Sequence, residues 1–178
     1  MPDGSIDERY LDELKARFAK LRVIDKANDP LSKLIDRALR VVTFGGQSEF
    51  LSRYVTTIGQ TIYLPAGWDR RSPESRYCTL RHEAIHLEQF RRYGFVLMSF
   101  LYVVPFFPLG LAYGRARIEW EAYAETLRAH AEVFGADAAR DPKLHAYIRR
   151  QFTSAAYGWM WPFDRTIQRW IDLELSRI

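Results

Sequence analysis

Cysteine is nearly absent from this chain, since Cys78 is the only one among 178 residues. One cysteine excludes a framework of disulfide bonds. It is compatible with the reducing cytoplasm, where we expect the protein, either free or peripheral to a membrane. The first twenty residues are charged and have a helical pattern. They lack the basic stretch followed by an apolar run that marks a secretory signal, so we expect none in this sequence.

The chain also lacks internal repeats, low-complexity tracts and a glycine-rich loop that would bind phosphate. Its net charge is +4 and its pI about 9.3, but the arginine pairs are scattered and form no single basic stripe. The pairs are Arg70-Arg71, Arg91-Arg92 and Arg149-Arg150. We therefore expect no nucleic acid as a partner, while a weak preference for anionic surfaces stays open. The sequence does not indicate the oligomeric state.

Apolar residues are abundant. They make up 48% of the chain, and aromatic residues make up 15%, which excludes a disordered protein. A length of 178 residues predicts one domain, residues 1–178, with a substantial core.

Histidine is rare, but two of the four histidines fall in one pentapeptide, His82-Glu83-Ala84-Ile85-His86. On a helix, residues four apart project from the same face, about 5–6 Å apart at Cβ. Two imidazoles at that spacing can bind one zinc ion, and Glu83 can act as general base on a zinc-bound water. Ser72 and Pro73 are a favourable helix start, and Gly94 is a favourable end. The pattern therefore predicts one zinc ion per chain, bound on a helix of about twenty residues.

A catalytic zinc ion needs a third protein ligand and an open fourth position. Cys78 lies on the same stripe, but it is about 12 Å along the helix axis from His86 at about 1.5 Å per residue. One ion cannot bind both residues, so Cys78 is predicted to be a small buried residue. The segment from Arg117 to Glu125 supplies two better candidates, Glu119 and Glu121.

With these glutamates, the sequence resembles the gluzincin metallopeptidases, the thermolysin-like superfamily, in which HExxH is followed by a helix carrying E-x-x-[AS]-[DE]. Glu121-Ala122-Tyr123-Ala124-Glu125 fits that spacing. The resemblance implies Glu121 as the third zinc ligand and Glu125 as the acid that supports a zinc-binding histidine. A second register remains open, in which Glu119 is the ligand and Tyr123 replaces the supporting acid. Because a ligating histidine usually donates its other N–H to a carboxylate or carbonyl, we prefer Glu121.

The predicted fold is α+β, a compact zincin-like domain that is mostly helical. Helices are predicted from Ser5, where Ser5 and Glu8 fit a capping box, and from Asp29-Pro30. Two more are predicted from Asp141-Pro142 to about Ser154 and from Trp161-Pro162 to near Ser176. Strands are predicted over Val41–Phe44, Arg53–Ile58 and Thr61–Leu64. A small antiparallel sheet before the HExxH helix is what the resemblance implies. There the edge strand pairs with an extended peptide substrate, and Thr61–Leu64 is the candidate. An internal hairpin strand is the alternative.

No charged residue occurs from 93 to 114. The length suits a membrane span, but Pro105 and Pro108 interrupt it, and it connects two helices that must meet at the metal. We interpret the segment as a buried connection that forms a wall of the substrate cleft. Peripheral membrane contact through residues 94–113 is the alternative.

The predicted function is that of a zinc metallopeptidase, which hydrolyses peptide bonds of a peptide or protein substrate through a zinc-activated water. Two alternatives stay open: a catalytically inactive, zinc-stabilised module that binds a partner or membrane, and a hydrolase of non-peptide amides. Tyr157 and His145 are candidates for stabilising the oxyanion, and nothing in the sequence ranks them. The sequence does not identify the substrate.

Overall fold

The structure, a computed structural model, describes residues 4–26, 55–103, 112–154 and 160–178. The predicted helix after Asp29-Pro30, the predicted strand Val41–Phe44, the two prolines 105 and 108, and Tyr157 lie outside the described residues. Residue contacts divide the chain into two units, Met1–Phe90 and Arg91–Ile178. Helices dominate the described residues, and a small sheet accompanies them, as expected for the α+β class.

Helix α1, Ile6–Arg17, begins with the predicted capping arrangement. The Ser5 backbone N–H donates to the Glu8 carboxylate at 2.8 Å, and this bond lowers the pKa of Glu8 below its ordinary value. Leu14 of α1 and Phe18, the residue directly after the helix, are buried. They pack with Ile62, Leu80, Ala84 and Leu87 in the core of the first unit.

The sheet of the first unit has three short strands, β1 Arg22–Asp25, β2 Thr56–Ile58 and β3 Thr61–Leu64, in the order β1-β3-β2. Gly59, at φ 61°, turns the chain between β2 and β3, which pair antiparallel. Strand β1 pairs with β3 in parallel. The sheet is therefore mixed, and the prediction of an antiparallel sheet was wrong.

Strand β1 was not predicted from the sequence. Only two apolar residues, Val23 and Ile24, lie between its charged ends, and a segment this short shows no alternating pattern. Its pairing with β3 also corrects the proposed peptide-binding edge. Among the described strands, β3 lies between two partners, so Thr61–Leu64 is the internal strand of the alternative interpretation.

Helix α2, Pro73–Val103, carries the HExxH residues and starts as predicted. The Ser72 hydroxyl oxygen accepts the N–H of Ser75 at 3.2 Å. Gly94 has φ 74° and ψ 165°, a conformation that is almost restricted to glycine, and it interrupts the helical geometry where the sequence predicted an end.

Beyond Gly94, the described residues contradict part of the prediction of a buried connection, and residues 104–111 of that segment lie outside the described residues. Phe95, Val96, Leu97 and Phe100 are exposed, whereas Met98 is buried. Among the described helices, none combines the length and apolar character needed to cross a bilayer.

A charged contact joins the beginnings of α1 and α2. Arg76 Nε lies 2.7 Å from Asp7 Oδ2 outside hydrogen-bonding geometry, and Arg76 Nη2 donates to Asp7 Oδ1 at 3.3 Å. The Asp7 side chain is 7% exposed and that of Arg76 is 16% exposed, so water screens this pair only weakly.

The second unit contains α3 Tyr113–Phe134, the short α4 Ala136–Ala139, α5 Pro142–Thr153 and α6 Asp164–Leu175. Asp141 caps α5 as predicted, since its carboxylate accepts the N–H of Lys143 at 2.8 Å. Helix α6 begins at Asp164, two residues after the Pro162 that the sequence suggested. The core of this unit is apolar and aromatic, and its members include Trp120, Leu127, Ile148, Phe152, Ile167 and Ile171.

Candidate metal centre

His82, Glu83 and His86 lie on α2, as the HExxH pattern predicts. The two imidazole rings have centroids 5.0 Å apart and are inclined by 74°, as side chains four residues apart on one helix face should be. Glu83 and His86 are buried, at 5% and 6% exposure, and His82 is half-buried. Water therefore has limited access to the polar groups of this pentapeptide.

Among the described residues, His82, His86 and Glu119 form a group that could hold a metal ion. Each offers one ligand atom, and these atoms all lie within 4.8 Å of one another. Glu119 is 6% exposed. Two imidazole nitrogens and one carboxylate oxygen are donor types that zinc takes in proteins, so this group suits metal binding.

The glutamate in this group is Glu119, the alternative third ligand of the sequence analysis, and not the preferred Glu121. Residues on a helix are separated by about 100°, so Glu119 and Glu121 point about 200° apart around α3. Glu121 and Glu125 share a different stripe from Glu119. On that stripe, the Glu125 carboxylate accepts a hydrogen bond from Arg128 at 3.1 Å, and Arg128 contacts Glu174 of α6 at 2.7 Å. The role of Glu125 beside a zinc-binding histidine stays a prediction.

Gln89 contacts His86 in a way that the sequence interpretation missed. Its side-chain Oε1 lies 2.9 Å from His86 Nδ1, and Gln89 is 2% exposed. In the tautomer with the proton on Nδ1, this contact is an N–H···O hydrogen bond, and the Nε2 lone pair is then the one that could bind a metal. Its position three residues after His86, on the same helix face, was the available signal.

Thr57 of β2 contacts Glu83, the candidate general base of the pentapeptide. Its hydroxyl donates to Glu83 Oε2 at 2.7 Å. This bond holds the Glu83 carboxylate in one orientation. No local pattern relates the two residues, which lie 26 positions apart, so this contact could not be predicted from the sequence.

The structure also describes His145 and Cys78, two further residues that the sequence analysis considered. His145 Nε2 lies 2.8 Å from the carbonyl oxygen of Ala139 at the end of α4. Its use in stabilising an oxyanion stays a prediction. Cys78 is 3% exposed, which confirms that it is a small buried residue.

Comparisons with known proteins add no relatives. The chain matches no protein-family model, and neither a curated protein nor a solved structure is significantly similar to it. Any functional assignment therefore depends on the motif and on the geometry of the site.

Proposed function

We propose that this protein is a zinc-dependent metallopeptidase whose zinc ligands are His82, His86 and Glu119. The observation that supports the proposal is the proximity of the three ligand atoms, all within 4.8 Å of one another. If the HExxH sequence had arisen by chance, there would be no reason to find the buried carboxylate of Glu119 near both imidazoles.

The chemistry of the three side chains fits zinc. Two imidazoles and one carboxylate are the donor set of catalytic zinc sites, in which three protein ligands leave one position open. The Gln89 contact fits the same purpose, since zinc-binding histidines almost always donate their second N–H to an acceptor. When bound here, zinc would lower the pKa of a coordinated water to about 7 and polarise a substrate carbonyl.

Glu83 is the proposed general base. Its carboxylate would accept a proton on a carboxylate oxygen and later deliver it to the leaving amine. The Thr57 hydroxyl orients this carboxylate through the bond to Oε2. An orientation fixed in advance reduces the entropy that must be lost when the reacting groups are aligned.

A peptide substrate is proposed from the resemblance to gluzincins. The buried, hydrogen-bonded Glu83 favours turnover over a site that only holds metal for stability, because a purely structural site has no use for a base.

The test combines metal analysis with a digest of a broad peptide library. Wild type and Glu83→Gln are purified under mild conditions, assayed for zinc, and incubated with the library before and after chelation, with cleavage products identified by mass spectrometry. We expect one zinc ion per chain in both proteins. Cleavage should occur only with wild type, disappear with the chelator and return with added zinc.

Two results would overturn the proposal. A folded protein that neither contains nor takes up zinc would eliminate the metal site. Equal zinc content with no cleavage beyond that of Glu83→Gln would replace the peptidase with the zinc-stabilised module or the non-peptide amide hydrolase.

A further inference from the structure

The residues that follow Gly94 on α2 expose an unusual amount of apolar surface. Phe95, Val96, Leu97 and Phe100, here called the apolar patch, are 60%, 82%, 45% and 56% exposed. Met98, in the same turn, is fully buried. The exposure is therefore one-sided, and large contiguous apolar surfaces of this kind mark sites of interaction with proteins or membranes.

The charged residues that flank the apolar patch most closely in the sequence are arginines on both sides. Arg91 and Arg92 are exposed and directly precede Gly94, and the Arg92 guanidinium lies 5.8 Å from the centroid of the Tyr93 ring. No aspartate or glutamate occurs between Glu88 and Glu119, whereas arginine occurs four times, including Arg115 and Arg117. This stretch therefore contributes a local positive potential to a chain of net charge +4.

We propose that the apolar patch docks on an anionic lipid bilayer, with Arg91 and Arg92 contacting lipid phosphates. Surface-bound segments combine exposed aromatic and aliphatic side chains, inserted about 5–10 Å, with basic residues at the headgroup level. This arrangement uses both features of the segment, the patch and the arginine pair, and needs no spanning helix. It does not depend on the proposed peptidase activity.

A second copy of the chain is a poorer occupant. Self-association through a two-fold axis at the patch would bring the exposed Arg91 and Arg92 near their own equivalents in the other copy, which places like charges together. Anionic lipid headgroups supply the opposite charge at any orientation around the patch.

The test is flotation with phosphatidylcholine vesicles, with and without phosphatidylglycerol, at low and high salt. Wild type should float with the anionic vesicles at low salt and dissociate at high salt. Phe100→Ser should weaken flotation at least about tenfold, and so should the double variant Arg91→Ser/Arg92→Ser. Phe134→Ser is the matched apolar control, because Phe134 is 50% exposed on α3. Arg165→Ser/Arg169→Ser is the matched charge control on α6.

Both controls should float like wild type, and all variants should keep the zinc content and circular dichroism of wild type. Absence of flotation by folded wild type, or equal losses in the patch and control variants, would overturn the proposal. So would a dimer in solution that Phe100→Ser dissociates while vesicle binding is absent, because the patch would then be a self-association surface.

Discussion

Glu119 and Glu121 differ by only two positions, but they point to nearly opposite sides of α3 and make different predictions about metal binding. Glu119 has its ligand atom near both imidazoles, whereas Glu121 shares a stripe with Glu125. The residue pattern alone favoured Glu121, because Glu125 follows it by one turn. The geometry favours Glu119, and the choice is open to direct measurement.

We predict that Glu119→Gln weakens zinc binding by more than the roughly 10–100-fold typical of losing a residue that only supports a ligand. Glu121→Gln, the matched control on the same helix, should change zinc affinity little. Competition titration against a chelator ranks the two variants. The reverse ranking would return the third ligand to Glu121.

Gln89 gives a second prediction for single residues. Gln89→Met removes the acceptor for His86 Nδ1–H at similar volume and should lower zinc affinity about 10–100-fold. Gln89→Glu keeps an acceptor oxygen in place and should retain the affinity. The same chelator competition measures both. Equal affinities for the Met variant and wild type would show that Gln89 does not orient the imidazole.

Among contacts between elements, the ion pair of Asp7 with Arg76 connects α1 to the start of the HExxH helix. Because both side chains are largely buried, removing one partner leaves the other charge poorly compensated. We predict that Asp7→Asn lowers the free energy of unfolding by about 3 kcal/mol.

Asp12→Asn is the matched control for this substitution in the same helix. Its pair with Lys15 spans 3.0 Å, but the Lys15 and Asp12 side chains are 53% and 76% exposed. Solvent screening should limit the control's effect to less than about 1 kcal/mol. Urea unfolding compares the two variants. Similar losses would mean that the Asp7 pair is no stronger than an exposed one.

The elements that the sequence predicted well are those whose signals are local. The starts of α1, α2 and α5 follow from capping residues within three positions, and Gly94 ends regular helix geometry through its own backbone preference. The HExxH spacing placed His82 and His86 on one face for the same reason.

What the sequence did not predict depends on contacts between distant residues. The parallel pairing of β1 with β3 and the Thr57–Glu83 hydrogen bond each join positions far apart in the chain. The register of the third ligand depends on which side of α3 faces the histidines. Apolar composition after Gly94 suggested burial, but burial depends on neighbouring elements, and the prediction was wrong for Phe95, Val96, Leu97 and Phe100.

For the whole molecule, metal binding should be linked to stability. An ion that binds the folded chain and not the unfolded chain stabilises the fold by mass action. At free zinc one hundredfold above its dissociation constant, the gain is about 2.7 kcal/mol. For a protein of this length, we predict a rise in the thermal midpoint of about 5–10 °C.

Calorimetry with and without zinc measures this rise. Glu83→Gln should keep the full shift, because Glu83 is proposed as a base and not as a ligand. His82→Ala/His86→Ala should lose it. A shift that persists in the double histidine variant would indicate zinc binding elsewhere in the chain.

The burial of Lys26 has a consequence for chemical labelling. This lysine is 0% exposed, and its ammonium group donates to the Thr56 hydroxyl at 2.8 Å, one residue before Thr57. Lys15 and Lys20 are exposed. An acylating reagent should therefore modify Lys15 and Lys20 rapidly. It should reach Lys26 only when the surrounding sheet opens. The rate of acylation at Lys26 would therefore measure how often β2, the strand whose Thr57 binds Glu83, opens locally.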